Sequence, residues 1–167
     1  MSTHSMPSLA TRRRLGAVAC ALLLISLTSC FSFDPKTGVG NGFAYLTDVR
    51  SAGHSDSDRV VIEFAADKLP DWDVRQAAPP FRFDGSGGVV KVQGHAYLSV
   101  RLNHADAHTF FIIKSRFSPP GTPNITEVVS TGDFEGHVGY VIGLENARKF
   151  DVTVLKSPSR LVIDVQH

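Results

Sequence analysis

The sequence predicts an all-β domain, an antiparallel β-sandwich of about ten short strands, and three observations carry this prediction. Apolar and polar residues alternate with a period of two in many short stretches from Phe43 onward. Glycine- and proline-rich turns separate most of these stretches. No stretch longer than about ten residues shows a convincing apolar stripe with the helical period of 3.6. Short strands at close spacing, joined by turns, are typical of sandwiches and barrels.

Residues 1–29 have the layout of a secretory signal peptide. Three arginines, Arg12 to Arg14, precede an apolar run at 15–27, and small residues follow it directly before Cys30. The stretch Leu27-Thr-Ser-Cys30 resembles the lipobox of bacterial lipoproteins. This resemblance implies cleavage before Cys30 and attachment of a diacylglyceryl group, with fatty acids such as palmitate, to its thiol. The alternative is a retained transmembrane helix, but the run is shorter than the ~20 residues that a spanning helix needs.

The predicted signal implies an exported protein, held at the extracytoplasmic face of the cell membrane by the lipid on Cys30. The arginines at 12–14 leave the export route open between the general and the twin-arginine pathway. Without residues 1–29 the chain keeps 14 Lys and Arg against 16 Asp and Glu, a formal charge of −2. No basic run remains, so a nucleic-acid partner is not predicted. Cys20 lies in the signal, so the mature chain has no thiol for a disulfide.

Residues 30–42 are predicted to form a flexible tether, because they are rich in turn formers and lack periodicity. Fully extended, this segment would span only about 40 Å, at ~3.3–3.6 Å per residue. The remaining residues, 43–167, suffice for one domain.

The predicted strands follow in order. In the first, Phe43, Tyr45, Thr47 and Val49 share one face. The predicted strands are 43–50, 59–64, 73–76, 81–83, 89–93, 96–102, 110–114, 126–131, 137–144, 150–155 and 160–165.

Two of the predicted strands resemble each other. The stretches 59–64 and 160–165 both begin with arginine and place a carboxylate four residues later. Either such strands converge on similar patterns, or the arginines and acids pair across neighbouring strands.

One sequence pattern suggests metal ligands. His104, Asp106 and His108 would lie on one face of a strand. Their polar flanks favour an exposed loop instead, and we predict no metal site and no cofactor. No serine stands in a Gly-x-Ser-x-Gly context, and Cys30 is the predicted lipid site. We therefore predict no catalytic residues and no enzymatic activity.

Two turn regions offer candidate ligand-binding residues. The stretch 81–84 combines aromatic and charged side chains, and the stretch 131–136 is a tight polar loop with one phenylalanine. The alternative for both is ordinary hairpin chemistry, in which glycines supply positive φ and aspartate caps the turn. The candidate residues are Arg82, Asp84, Asp133, Phe134 and Glu135.

Five segments in this order resemble the AMIN-like domain of actinobacterial, including mycobacterial, lipoproteins: Ala44–Arg50, Asp58–Phe64, Thr131–Gly136, Val141–Leu144 and Ser159–Val165. The resemblance implies a β-sandwich related to the AMIN domains that precede cell-wall amidases and occur in secretion-pore proteins. Those domains are non-catalytic targeting modules, and no amidase domain follows in this sequence. The expected function is that of a membrane-anchored, non-catalytic cell-envelope lipoprotein that binds peptidoglycan or an envelope protein. The alternative is a carrier of a small apolar or lipid ligand, which would need an apolar cavity.

Overall fold

The computed structural model describes Met1 and residues 31–167, so the predicted signal and Cys30 lie outside the described residues. The described residues contain thirteen strands and no helix. The strands are β1 (Lys36–Gly38), β2 (Ala44–Gly53), β3 (Ser57–Phe64), β4 (Asp71–Ala77), β5 (Phe81–Arg82), β6 (Val89–Val90), β7 (Ala96–Asn103), β8 (Ala105–Asp106), β9 (Arg116–Phe117), β10 (Ile125–Phe134), β11 (His137–Leu144), β12 (Phe150–Leu155) and β13 (Arg160–Gln166).

Two sheets form the sandwich, which confirms the predicted fold class. One sheet has six strands in the order β1-β4-β7-β11-β10-β9, and the other has five in the order β12-β13-β3-β2-β8. All pairs are antiparallel except the parallel pair of β2 and β8. Strands β5 and β6 form a separate hairpin.

The core lies between the two sheets and is built by alternate residues of their strands. Leu98, Val100 and Leu102 of β7 are buried, as are Leu161 and Ile163 of β13. Burying such a side chain stabilises the fold by roughly 1.5–3 kcal/mol. Every buried residue of this core cluster lies within residues 44–165. The chain from 31 to 167 therefore contains the whole core of the described domain and is the natural unit for experiments.

A β-bulge in β2 breaks the alternation predicted for 43–50. Leu46 pairs with Phe64, but Asp48 pairs with the next residue, Glu63, so Thr47 is the extra residue. Val49 consequently shares the buried side with Leu46, whereas Tyr45 is exposed. The prediction that Val49 and Tyr45 lie on one face was wrong because an inserted residue reverses the facing of all that follow.

The strand predicted at 110–114 is a loop. Phe110, Phe111 and Ile112 are exposed, whereas Ile113 packs against the core and the Thr109 hydroxyl donates a hydrogen bond to the carbonyl of Leu46 at 3.1 Å. The short strand nearby is β9, which pairs with β10. The prediction failed because apolar content alone does not make a strand, which needs a partner for its main-chain groups.

The segment predicted as a flexible tether is attached to the sandwich over most of its described length. Ser32 exchanges two main-chain hydrogen bonds with Phe150, at 3.0 and 2.9 Å. Strand β1 pairs with β4, and the carboxylate of Asp71 accepts a hydrogen bond from the N–H of Gly40 at 2.7 Å. Turn-forming composition concealed this attachment, because the partners lie more than thirty residues away.

The two related strands, β3 and β13, are neighbours in the five-stranded sheet. Arg59 binds Asp164 with two hydrogen bonds, of 2.6 and 2.9 Å, and these bonds raise the pKa of Arg59. The reciprocal pair is not formed, because Glu63 accepts from Arg50 at 3.0 Å instead. The hypothesis of cross-strand pairing therefore holds for one of the two arginines.

Candidate functional site

A groove of about 660 Å³ lies on the outer face of the six-stranded sheet. Its floor comes from the outward-facing residues of β7 and β11, and one wall comes from β5 and the turn that joins β5 to β6. Its lining combines polar, aromatic and charged side chains. The lining includes Pro80, Phe81, Arg82, Asp84, Gly85, Ser99, Arg101, Asn103, Thr131, Phe134, His137 and Gly139.

The hairpin is fixed over the sheet by main-chain and apolar contacts. The N–H of Asp84 donates to the carbonyl of Thr131 at 2.8 Å. Val90 of the hairpin is buried, as are Val129 and Val141 on the outer face of the sheet. These valines lie outside the main core cluster, so the hairpin covers a small second apolar layer.

Gly139 forms the floor of the groove, and this position requires glycine. The residue is paired with Arg101 in the register of β11 and β7. A Cβ atom here would clash with Oγ1 of Thr131 and would lie 3.4 Å from Oδ2 of Asp84. The absence of a side chain keeps the space between Arg101 and Asp84 open.

Arg101 and Asp84 are the two charged groups of the groove without a partner of their own. Neither side chain forms a hydrogen bond or ion pair within residues 31–167. Asp73 stands opposite Arg101 in β4, but its carboxylate is bound by Arg75. Arg82, by contrast, donates to the carbonyl of Gly87 at 2.9 Å, within its own hairpin.

The structure brings three of the five predicted site residues together. Arg82, Asp84 and Phe134 line the groove, whereas Asp133 and Glu135 do not. Glu135 is exposed in the turn between β10 and β11, with φ of 50°. For Asp133 and Glu135, the alternative of ordinary hairpin chemistry agrees better with the structure.

Asp133 holds the chain that follows β8. Its Oδ2 accepts a hydrogen bond from the N–H of Ala107 at 2.6 Å and lies 2.7 Å from Nδ1 of His108. The side chain is only 14% exposed. Burial, and secondly the charge of Asp133, raise the pKa of Tyr140 on the neighbouring strand. Asp133 thus positions a loop and has no direct part in the groove.

Sequence reasoning missed Arg101, Asn103 and His137. The Nδ1 atom of His137 and Oδ1 of Asn103 are 2.9 Å apart across β11 and β7. Residues 96–102 were predicted to form a strand, so the polar residues on one face of this strand were the available sign of a solvent-facing site. The local sequence does not indicate that the β5–β6 hairpin folds over this face.

A family model for the AMIN-like domain matches residues 44–167. The chain belongs to the AMIN-like domain family. Neither the curated proteins nor the solved structures contain a significant match to it. The matched range of the AMIN-like domain runs from β2 to β13 and includes every residue that lines the groove.

Two further features of the AMIN-like domain bear on the sequence hypotheses. Of the three potential ligands in the His-x-Asp-x-His pattern, Asp106 and His108 meet Asp133, and one ligand atom of each lies within 4.8 Å of the others. His104 lies apart, 3.4 Å from Asp71. Such a trio could supply ligands to a divalent cation, but the same atoms already bond to one another and to the loop backbone.

A second hollow of the AMIN-like domain, of about 560 Å³, lies beside β1 and β12. Trp72, Leu69 and Val154 give it an apolar lining. It opens at the side of the sandwich, whereas the space between the sheets holds the core cluster. Among the described residues there is also no helix long and apolar enough to cross a membrane.

Proposed function

We propose that this AMIN-like domain is a non-catalytic binding module of the cell envelope, and that its groove holds peptidoglycan in preference to an envelope protein. The observation that carries the proposal is the polar groove, which lies within the range matched by the family model. AMIN-like domains are associated with peptidoglycan-binding and cell-envelope proteins.

The chemistry of the groove supports a polymer ligand of this kind. Peptidoglycan offers hydroxyl, amide and charged groups, and the groove offers Arg101, Asp84 and the pair of Asn103 and His137. Phe134 is half exposed at its edge and provides an apolar contact. An open groove of this shape suits a segment of a long chain better than an enclosed small molecule.

We expect residues 31–167 to sediment with insoluble peptidoglycan, and the bound fraction to persist from low to moderate salt. Groove contacts that combine hydrogen bonds with ion pairs lose less to screening than long-range charge attraction does. The measurement is the fraction of protein in the pellet, with insoluble chitin as the control polymer. Protein that stays in the supernatant at both salt concentrations would overturn the peptidoglycan proposal and leave an envelope protein as the ligand.

The proposal includes a lipid anchor on Cys30, which would place the domain at the outer face of the cell membrane. Its support is the stretch Leu27–Cys30 behind an apolar run. We expect Cys30→Ala to move the protein from the membrane fraction to the soluble fraction and to abolish labelling by a fatty-acid probe. Ser29→Ala, which keeps the thiol, is the matched control and should remain labelled. Unchanged labelling of the Cys30→Ala protein would contradict the anchor.

A further inference from the structure

Among the strand arginines of residues 31–167, Arg101 differs in that its guanidinium binds neither a carboxylate nor a main-chain carbonyl, whereas Arg82 and Arg160 each donate to a carbonyl. Four arginines of the described domain bind a carboxylate with their guanidinium groups: Arg50, Arg59, Arg75 and Arg116. Arg101 has Asp73 opposite it on one side, but Arg75 occupies that carboxylate. On the other side it faces Gly139, which has no side chain. The guanidinium is thus left available at the groove.

Asp84 supplies the opposite charge across the same floor. Its Oδ2 lies 3.4 Å from the position that a Cβ atom of Gly139 would take, so Asp84 and Arg101 flank one residue. Within residues 31–167 they form no ion pair with each other. The main chain of Asp84 is fixed by its bond to Thr131, which keeps this carboxylate beside the groove.

This pair of separated, opposite charges selects for a particular ligand chemistry. A guanidinium binds a carboxylate with two parallel hydrogen bonds, and a carboxylate binds an ammonium group. A polyanion would be repelled by Asp84, and a neutral glycan would leave both charges without a counter-charge. A ligand with one carboxylate and one ammonium group satisfies both.

We propose that the groove binds a peptide carrying a free carboxylate and an ammonium group, with Arg101 on the carboxylate and Asp84 on the ammonium. This inference rests on the proposed function and deepens it, since the peptide part of peptidoglycan carries both groups. It assigns recognition to the peptide and not to the glycan strand. Phe134, which lies against Gly85, would cover aliphatic portions of the peptide.

The test is a calorimetric titration of residues 31–167 with a soluble peptide released from peptidoglycan. We expect Arg101→Gln to weaken binding about tenfold, because charge-assisted hydrogen bonds to a ligand carry this order of energy. Asp84→Asn should weaken binding several-fold. Arg160→Gln is the matched control, on a strand of the other sheet, and should bind like the wild type.

Chemically modified peptides assign each contact. Amidation of the carboxylates should weaken binding to the wild type but cause no further loss in Arg101→Gln. Acetylation of the amine should weaken binding to the wild type but cause no further loss in Asp84→Asn. A wild-type protein that binds the amidated peptide as tightly as the free acid would overturn the proposal. So would an Arg101→Gln protein of unchanged affinity.

The two proposals fail in distinguishable ways. If the wild type and Arg101→Gln sediment equally with insoluble peptidoglycan, the proposed function stands and the assignment of Arg101 is overturned. If the soluble peptide binds through Arg101 but the wild type does not sediment, the ligand assignment stands and peptidoglycan binding is overturned. Arg101 is exposed and unpaired within residues 31–167, so we expect the variant to unfold at the wild-type temperature.

Discussion

Replacing Asp58 by alanine is expected to lower the free energy of unfolding by about 3 kcal/mol, because it leaves buried N–H groups without an acceptor. The Asp58 side chain is fully buried at 0% exposure. Its Oδ2 accepts from the N–H groups of Asn124 and Ile125 at 2.7 and 2.8 Å, and its Oδ1 lies 3.1 Å from Nε2 of His167. One carboxylate therefore joins β3 of one sheet to the start of β10 in the other.

Asp58→Asn is the informative control. Its single carbonyl oxygen can replace Oδ2 and accept both N–H bonds, while its amide group can donate to a neutral His167 ring. We expect it to lose about 1 kcal/mol or less, since only a charge is removed and the hydrogen bonds remain. Urea unfolding at neutral pH measures both variants. Equal losses in Asp58→Asn and Asp58→Ala would show that the charge, and not the geometry of acceptance, stabilises the site.

The second large effect is expected at Glu127, where alanine should lower the free energy of unfolding by about 2 kcal/mol, because hydrogen bonds to a buried carboxylate are lost while the half-exposed Arg116 keeps access to water. Its side chain is 4% exposed, and it accepts from Arg116 at 2.6 Å and from the N–H of Gln93 at 2.9 Å. Arg116 also donates to the carbonyl of Lys91 at 2.8 Å. Glu127 and Arg116 thus fasten residues 91–93, which follow the hairpin, to the outer face of the sheet.

Glu63→Ala provides the matched control on the other sheet. Glu63 also binds an arginine, Arg50, but its side chain is 25% exposed and water can replace the lost partner. We expect a loss below about 1 kcal/mol, the usual range for exposed pairs. Amide hydrogen exchange at Gln93 should accelerate in Glu127→Ala and not in Glu63→Ala. Similar losses of stability in the two variants would contradict the fastening role of Glu127.

Much of the fold could be predicted because the main sheet strands carry their own pattern. The alternation in 59–64, 96–102 and 160–165 follows from one face meeting the core, and these strands lie where predicted. The errors share a physical cause. The bulge at Thr47, the pairing of β1 and the loop at 110–114 depend on distant partners, which local alternation does not encode.

The candidate site was predictable only in part, for the same reason. Arg82, Asp84 and Phe134 stand in conspicuous turns, and all three line the groove. Arg101 was missed because its importance arises from the register that places it beside Gly139, and from a hairpin folded over the sheet. Asp133 looked like a ligand residue because turn chemistry and ligand chemistry use the same carboxylates.

The attachment of residues 32–38 also determines how the domain would stand on a membrane. With a lipid on Cys30, only about two residues, or roughly 7 Å of chain, would separate the acylated thiol from the docked Ser32. Such a short connection restricts the orientation of the domain relative to the membrane, whereas a free tether would let the domain move through some 40 Å. The side bearing β1 and β12 would face the bilayer, and the side bearing β8, β9 and the apolar tip at Phe110 would face outward.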